Sequence, residues 1–289
     1  MLKFMNSAKL KSYVLSVSVM LLVLSCGGDS DDPNPGPIDP GGNTPVVPDE
    51  NFDELVWSDE FEVNGSPDSE KWTYDLGDGC PDLCGWGNQE KQYYTDRVEN
   101  VKVEDGLLKI TALKESFEGS NYTSTRLLTQ GKYEFTYGRL EVKAKLPGSG
   151  GTWPAIWMLG SNISSRGWPA CGEIDIMEQT GDDKRDISSA LHTPSSSGNT
   201  MNKGNQTIND ATDEFHVYTV EWKRKSIVFS VDGIVHYSYG PSNQTDSNWP
   251  FYADQFIILN VAMGGTLGGN IPNDFDQSSM EIDYVRVYQ

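Results

Sequence analysis

Three acidic residues, Glu173, Asp175 and Glu178, crowd the short segment Glu173-Ile174-Asp175-Ile176-Met177-Glu178. Acid and apolar side chains alternate over its first four positions, so a β-strand would carry Glu173 and Asp175 on one face and both isoleucines on the other. Glu178 breaks the parity. At an odd spacing from Glu173 it would fall on the apolar face, where an unpaired carboxylate is costly. One extra residue at Ile176-Met177, a β-bulge, returns it to the face of the other two acids. The two glutamates then stand roughly 13 Å apart at Cα, at ~3.3 Å per residue, and long side chains leaning inward close most of that gap. Two carboxyl groups ~5 Å apart are what cleavage of a glycosidic bond with retention requires, one as nucleophile and one as proton donor. Three neighbouring acids resist full ionisation, which splits the set into base-like and acid-like members. An acidic edge strand without a task would have no use for the parity break.

The segment resembles the active-site signature of glycoside hydrolase family 16, in the bulged form of the laminarinases; the lichenase and xyloglucan-modifying branches usually have one residue fewer before the last Glu. The resemblance continues through Trp57-Ser58-Asp59-Glu60-Phe61, Gly87-Asn88-Gln89-Glu90 with Tyr93-Tyr94-Thr95, and Ile282-Asp283-Tyr284-Val285-Arg286-Val287-Tyr288, so it covers nearly all of Asn51 to Gln289. It implies that Glu173 is the nucleophile, Glu178 the general acid/base and Asp175 an assisting acid. The implied reaction is retaining endo-hydrolysis of β-1,3 linkages in laminarin-like glucans, with mixed β-1,3/1,4 glucans as further substrates and no catalytic cofactor. Two rivals stay open: a family-16 hydrolase of agar or carrageenan, and a surface glycan-binding protein without catalysis. Cys84-Gly85-Trp86-Gly87-Asn88 and Trp153-Pro154-Ala155-Ile156-Trp157 look more like laminarinases. Non-catalytic relatives generally lose the glutamates, and this chain keeps all three acids.

Trp153 and Trp157 are four apart in an expected strand and share a face, either stacking on sugar rings or packing in the core. Trp168 carries the same pair of readings. Asn88, Glu90 and Arg126 match family positions that hydrogen-bond sugar hydroxyls, or else they stabilise loops. His192 matches a histidine near the aglycone side of the acid, unless it is an ordinary surface histidine. Many relatives carry a structural calcium ion away from the cleft, bound by backbone carbonyls near the start and by an Asp in the last strand; here Glu60, Gly106 and Asp283 match these ligands, although Asp283 could equally be a solvated strand residue.

These residues need a β scaffold. Arg139 to Leu146 alternates strictly, and Phe215 to Trp222 and Glu281 to Tyr288 are rich in β-branched and aromatic residues. Asp232-Gly233 between Ile227–Val231 and Ile234–Tyr237 predicts a hairpin closed by a type I′ turn. No convincing amphipathic helix interrupts the strands. The expected fold is all-β, a jelly-roll sandwich of two antiparallel sheets with a substrate cleft on the concave face.

Residues 51–289 are enough for one such domain. Before it, an apolar run from Val14 to Leu24 follows Lys3, Lys9 and Lys11 and stops at Ser25-Cys26. The run is about half of the roughly 20 residues a bilayer span needs, so residues 1–25 read as a signal peptide. Cys26 stands where the bacterial lipobox places a lipidated thiol; ordinary cleavage with a leftover thiol is the alternative. Residues 26–50 form an acidic linker, in which Gly27 to Glu50 holds six prolines, five glycines and six acidic residues. Asp29-Ser30-Asp31-Asp32 resembles a surface-export signal, or simply solvates the linker. The expected location is the bacterial outer membrane or cell surface, as a monomer touching membrane only through its lipid.

Three of the 22 basic residues precede Cys26, leaving 19 against 42 acidic ones, a formal charge near −23. Such a surface excludes nucleic acid as a partner and mildly disfavours polyanionic substrates. The expected partner is a neutral β-glucan. Cys80, Cys84 and Cys171 permit one disulfide in an oxidising compartment, either Cys80 with Cys84 or one that uses Cys171.

Overall fold

The computed structural model describes residues 51–289; the expected signal peptide, Cys26 and the expected linker lie outside the described residues. Two sheets make up the domain. In the first, seven strands run in the order β12 (Lys203–Thr207), β11 (Asp186–His192), β10 (Glu173–Gln179), β9 (Thr152–Gly160), β16 (Gln255–Met263), β7 (Arg126–Leu128) and β2 (Thr73–Asp75). In the second, the order is β15 (Ile234–Tyr239), β14 (Ile227–Val231), β13 (His216–Trp222), β8 (Gly138–Lys145), β17 (Gln277–Tyr288), β5 (Leu107–Phe117), β6 (Ser120–Ser124) and β3 (Gln92–Tyr94). There β1 (Leu55–Asp59) also pairs with β17, and β4 (Val101–Glu104) with β5. The ladders are antiparallel except β3 with β6, which run parallel, a departure from the all-antiparallel expectation.

Alternation makes the two facing surfaces apolar. Leu140, Val142 and Ala144 of β8 meet Ile156 and Met158 of β9, Ile174, Ile176 and Met177 of β10 and Leu259 of β16 in one buried core. β16 is buried along its whole length, with one side in this core and the other beneath the cleft, where Phe256 and Ile258 join Leu128, Leu159 and Cys171 in a smaller cluster. The Asp232-Gly233 turn has positive φ at both residues, 51° and 75°, as the type I′ reading requires. Among the described residues the helical elements are short turns, α1 (Ile163–Arg166), α2 (Gly265–Gly268) and a 3-10 turn over Cys84–Gly87. The Trp57-Ser58-Asp59 motif is structural: buried Asp59 accepts the indole N–H of Trp72 at 2.7 Å and the Lys71 ammonium at 3.3 Å, locking the segment after β1 onto the core.

Trp222 fills the core at the end of β13, edge-on to Phe135 and Tyr137, with its indole N–H on the Phe251 carbonyl at 3.2 Å. Trp222→Ala is expected to lower the unfolding free energy by about 3–5 kcal/mol. Urea unfolding checks this; a loss below about 1 kcal/mol would place the ring outside the cooperative core.

Candidate active site

Strand β10 carries the three acids. Its register with β9 steps from Asp175↔Trp157 to Met177↔Ile156, and with β11 from Asp175↔Ala190 to Glu178↔Ser188, so Ile176 is the extra residue. The bulge sits where the parity break demands it. Glu173 and Glu178 are partly buried and Asp175 is buried, all facing away from the core that holds Ile174, Ile176 and Met177.

Each acid has its own neighbour. Trp168 donates its indole N–H to Glu173 Oε2 at 3.0 Å, and Trp153 donates to Glu178 Oε1 at 3.1 Å. His192 stands directly across from Glu173 on β11. Its Nδ1 accepts the Gly198 N–H at 3.1 Å, so the proton of the neutral ring is on Nε2, 3.1 Å from Asp175 Oδ2 and 3.5 Å from Glu173 Oε1. The contact with Asp175 is close but not aligned as a hydrogen bond, and Asp175 Oδ2 has no other partner. The histidine stands beside Glu173 and Asp175, whereas the family resemblance placed it toward Glu178.

The three tryptophans, each read as stacking on sugar or packing in the core, divide between tasks. Trp153 is only 8% exposed and holds a carboxylate. Trp157 has one ring face covered by the Arg126 guanidinium at 4.7 Å and donates its N–H to Asn260 at 2.8 Å. Trp168, 49% exposed, is the one of the three left open for a sugar ring. Arg126 is wedged between Trp157 and Trp86, with its Nε 3.2 Å from Asp75, so its task is to build the cleft wall.

Asn88 and Glu90 belong to a network. Glu90 accepts from Asn88 at 3.3 Å, Gln92 at 2.6 Å and Tyr94 at 3.3 Å, and Asn260 links Tyr94 to Trp157. Burial raises the Glu90 pKa against the pull of these donors. Asn260, Tyr94 and Trp86 were not singled out from sequence, although a lone Asn inside the apolar run of β16 is a signal for a polar task. Lys184 was missed as well: its buried ammonium ties Thr152 O at 2.8 Å to Gln179 Oε1 at 3.3 Å, next to the Trp153–Glu178 pair, and burial lowers its pKa to about 7. Cys80 and Cys84 form the disulfide at the base of the Asn88 loop, and Cys171 is a free, buried thiol.

The expected calcium ligands are the backbone carbonyls of Glu60 and Gly106 and the carboxylate of Asp283. Glu60 makes a two-bonded pair with Arg286 at 3.0 and 2.9 Å, and Asp283 sits on Lys143 at 2.7 Å. Gly106 serves the two-residue turn between β4 and β5. Lys143 thus stands on the one carboxylate expected to bind calcium, whereas the Glu60 pair engages its side chain and not its backbone carbonyl. Among the described residues, the group of acids and histidine close enough to chelate a metal is Glu173, Asp175 and His192, with ligand atoms within 4.8 Å.

Burial, then the Asp175 charge, pushes the Glu173 pKa up to about 8, with His192 opposing. Burial does the same to Asp175, and burial followed by Asp175 raises Glu178, each to about 8. Near neutrality the three carboxyls therefore share protons. Because these pKa values are raised by folding, the native state holds more protons than the unfolded chain, and stability is lost as pH rises from about 5 to 8. Asp175→Asn removes one of the repelling charges. It is expected to flatten that decline in urea unfolding across the same range; parallel pH profiles for the two proteins would contradict the shared-proton picture.

A family model, Glycosyl hydrolases family 16, matches residues 88–286. A beta-glucanase of Rhodothermus marinus is 43% identical over 248 residues, covering 82% of this chain and 85% of that protein. The crystal structure of laminarinase from Flavobacterium sp. UMI-01 superposes with a TM-score of 0.77 at 45% identity, over 82% of this chain and 100% of that one. LamA of Z. galactanivorans, solved with laminaritriose and laminaritetraose, gives a TM-score of 0.74 at 44% identity, over 83% of this chain and 100% of that one. With the family model spanning the acid-bearing strand and most of both sheets, the chain belongs to glycosyl hydrolase family 16.

Proposed function

We propose that this protein hydrolyses internal β-1,3-glucosidic linkages of laminarin-like glucans, and mixed β-1,3/1,4 glucans as well, by double displacement with retention. The observation that carries the reading is the set of three buried acids on one face of a bulged strand, with an indole donor on each glutamate. The similarity to a beta-glucanase, a laminarinase and an oligosaccharide-bound LamA supports the substrate class.

In this reading Glu178 enters protonated, kept so by its burial and by Asp175. It delivers that proton to the glycosidic oxygen as Glu173 attacks the anomeric carbon, and the leaving chain departs with the proton. The Trp168 N–H favours the ionised form of Glu173. Water, deprotonated by Glu178, then displaces Glu173 and restores both carboxyls. Asp175 holds charge or proton beside them, with His192 Nε2 opposite. The reaction calls on no cofactor.

Glu173→Ser is expected to reduce release of reducing ends from laminarin by at least about 10³-fold while laminaritetraose still binds. Reducing-end assay and calorimetric titration of the same preparation check both halves. Turnover near wild type would overturn the nucleophile assignment.

The N-terminal reading is also ours: residues 1–25 are removed and Cys26 carries the lipid, leaving the catalytic domain on a tether at the outer membrane. Basic residues, an apolar run and a cysteine at its end support it. Cys26→Ser in the full chain is expected to move activity from the membrane fraction to the soluble fraction; unchanged partition would refute the anchor.

A further inference from the structure

Ile176, the residue that makes the catalytic strand productive, is paired in neither flanking ladder. The residue is buried, and a buried carbonyl needs a donor. The donor comes from β11, where the buried Ser189 hydroxyl lies 2.6 Å from Ile176 O. A hydroxyl has one proton to give. With it committed to Ile176, the other partner of Ser189 Oγ, His236 Nε2 at 2.9 Å, has to be the donor. His236 Nδ1 is buried with no hydrogen-bond partner, which suits a ring whose proton sits on Nε2.

His236 belongs to the other sheet. Pairing of β14 with β15 steps from Ser230↔Val235 to Phe229↔Tyr237, which makes His236 the extra residue of a second bulge. It reaches Ser189 past the edge strand β12, at Gly204. A Cβ on that glycine would stand 2.6 Å from Tyr237 Cβ and 3.1 Å from His236 O, so only hydrogen fits there. A bulge in each sheet, a serine between them and a bare glycine at the crossing are independent features that converge on one carbonyl.

We infer that Ser189 and His236 are positioning residues for catalysis: they clamp the Ile176 carbonyl and so fix where Glu178 stands relative to the bond it protonates. The inference rests on the reading of Glu178 as the acid, and its test separates the two. Laminarin has an alcohol leaving group that needs the proton. 2,4-Dinitrophenyl β-laminaribioside has a phenolate that departs without one, and its first turnover appears as a burst.

In Ser189→Ala the kcat on laminarin is expected to fall on the order of 10–100-fold at nearly constant KM, while the burst rate stays within about twofold of wild type. His236→Leu should behave in the same way, and His236→Gln, which keeps an N–H donor, should recover most of the laminarin rate. Glu178→Ala is the reference: it should abolish laminarin turnover and spare the burst. If it slows both substrates equally, the acid assignment fails and the inference falls with it. With that reference behaving as expected, equal losses on both substrates in Ser189→Ala, no loss at all, or no difference between the two His236 variants would overturn the positioning role. Thermal melts identify any variant that loses its fold, and the His236 pair then carries the test alone.

Discussion

An odd number of steps separates Glu173 from Glu178, and a strand can present both on one face only by carrying a residue that its neighbours leave unpaired. Ile176 is that residue. The arrangement works because β10 is an inner strand, held by β9 on one side and β11 on the other, so that the bulge cannot slip in one ladder without disturbing the second. Apolar side chains on either side of it, Ile174, Ile176 and Met177, are sealed in the core, which ties the register to the hydrophobic effect. Reversing the bulge would drive a glutamate into that core.

The same burial sets the electrostatics. Taking three carboxyls out of water raises their pKa values, and the closeness of the charges adds to this. The site then differentiates them by donors. Glu173 receives the Trp168 N–H and faces His192, Glu178 receives the Trp153 N–H, and Asp175 Oδ2 receives no aligned bond. Asp175 is therefore the acid for which ionisation is least supported by hydrogen bonds, and a proton resting there relieves repulsion on both sides.

Much of this was legible from residue order. Strand alternation, the Asp232-Gly233 turn and the bulge all follow from a period of two and its violation, which are local properties. Trp153 and Trp157 were legible only as sharing a face. Periodicity cannot say that an indole N–H points at Glu178 or that Arg126 lies over the other ring, because both contacts join strands far apart in sequence. Of the expected calcium ligands, the Asp283 carboxylate is met by Lys143 from the neighbouring strand β8, and a cross-strand ion pair leaves no trace in spacing. Asn260, a lone polar residue in an apolar strand, carried a signal that was passed over, and its partners Trp157 and Tyr94 lie on other strands that spacing cannot connect to it.

Polar groups on the two sides of the acids are organised to different degrees. Toward β16 and β7, Trp157, Asn260, Tyr94, Glu90 and Asn88 form a continuous chain of hydrogen bonds whose members are already satisfied by one another. Such a wall is rigid before substrate arrives, so little ordering remains to be done on binding. Toward β12 the surface is looser: Lys203, the partner of Ala190 in that ladder, is exposed, bonds Asn199 at 3.3 Å and acts on Glu178 through its charge. The two sides of the acids therefore differ in how much ordering is left for a bound chain to impose.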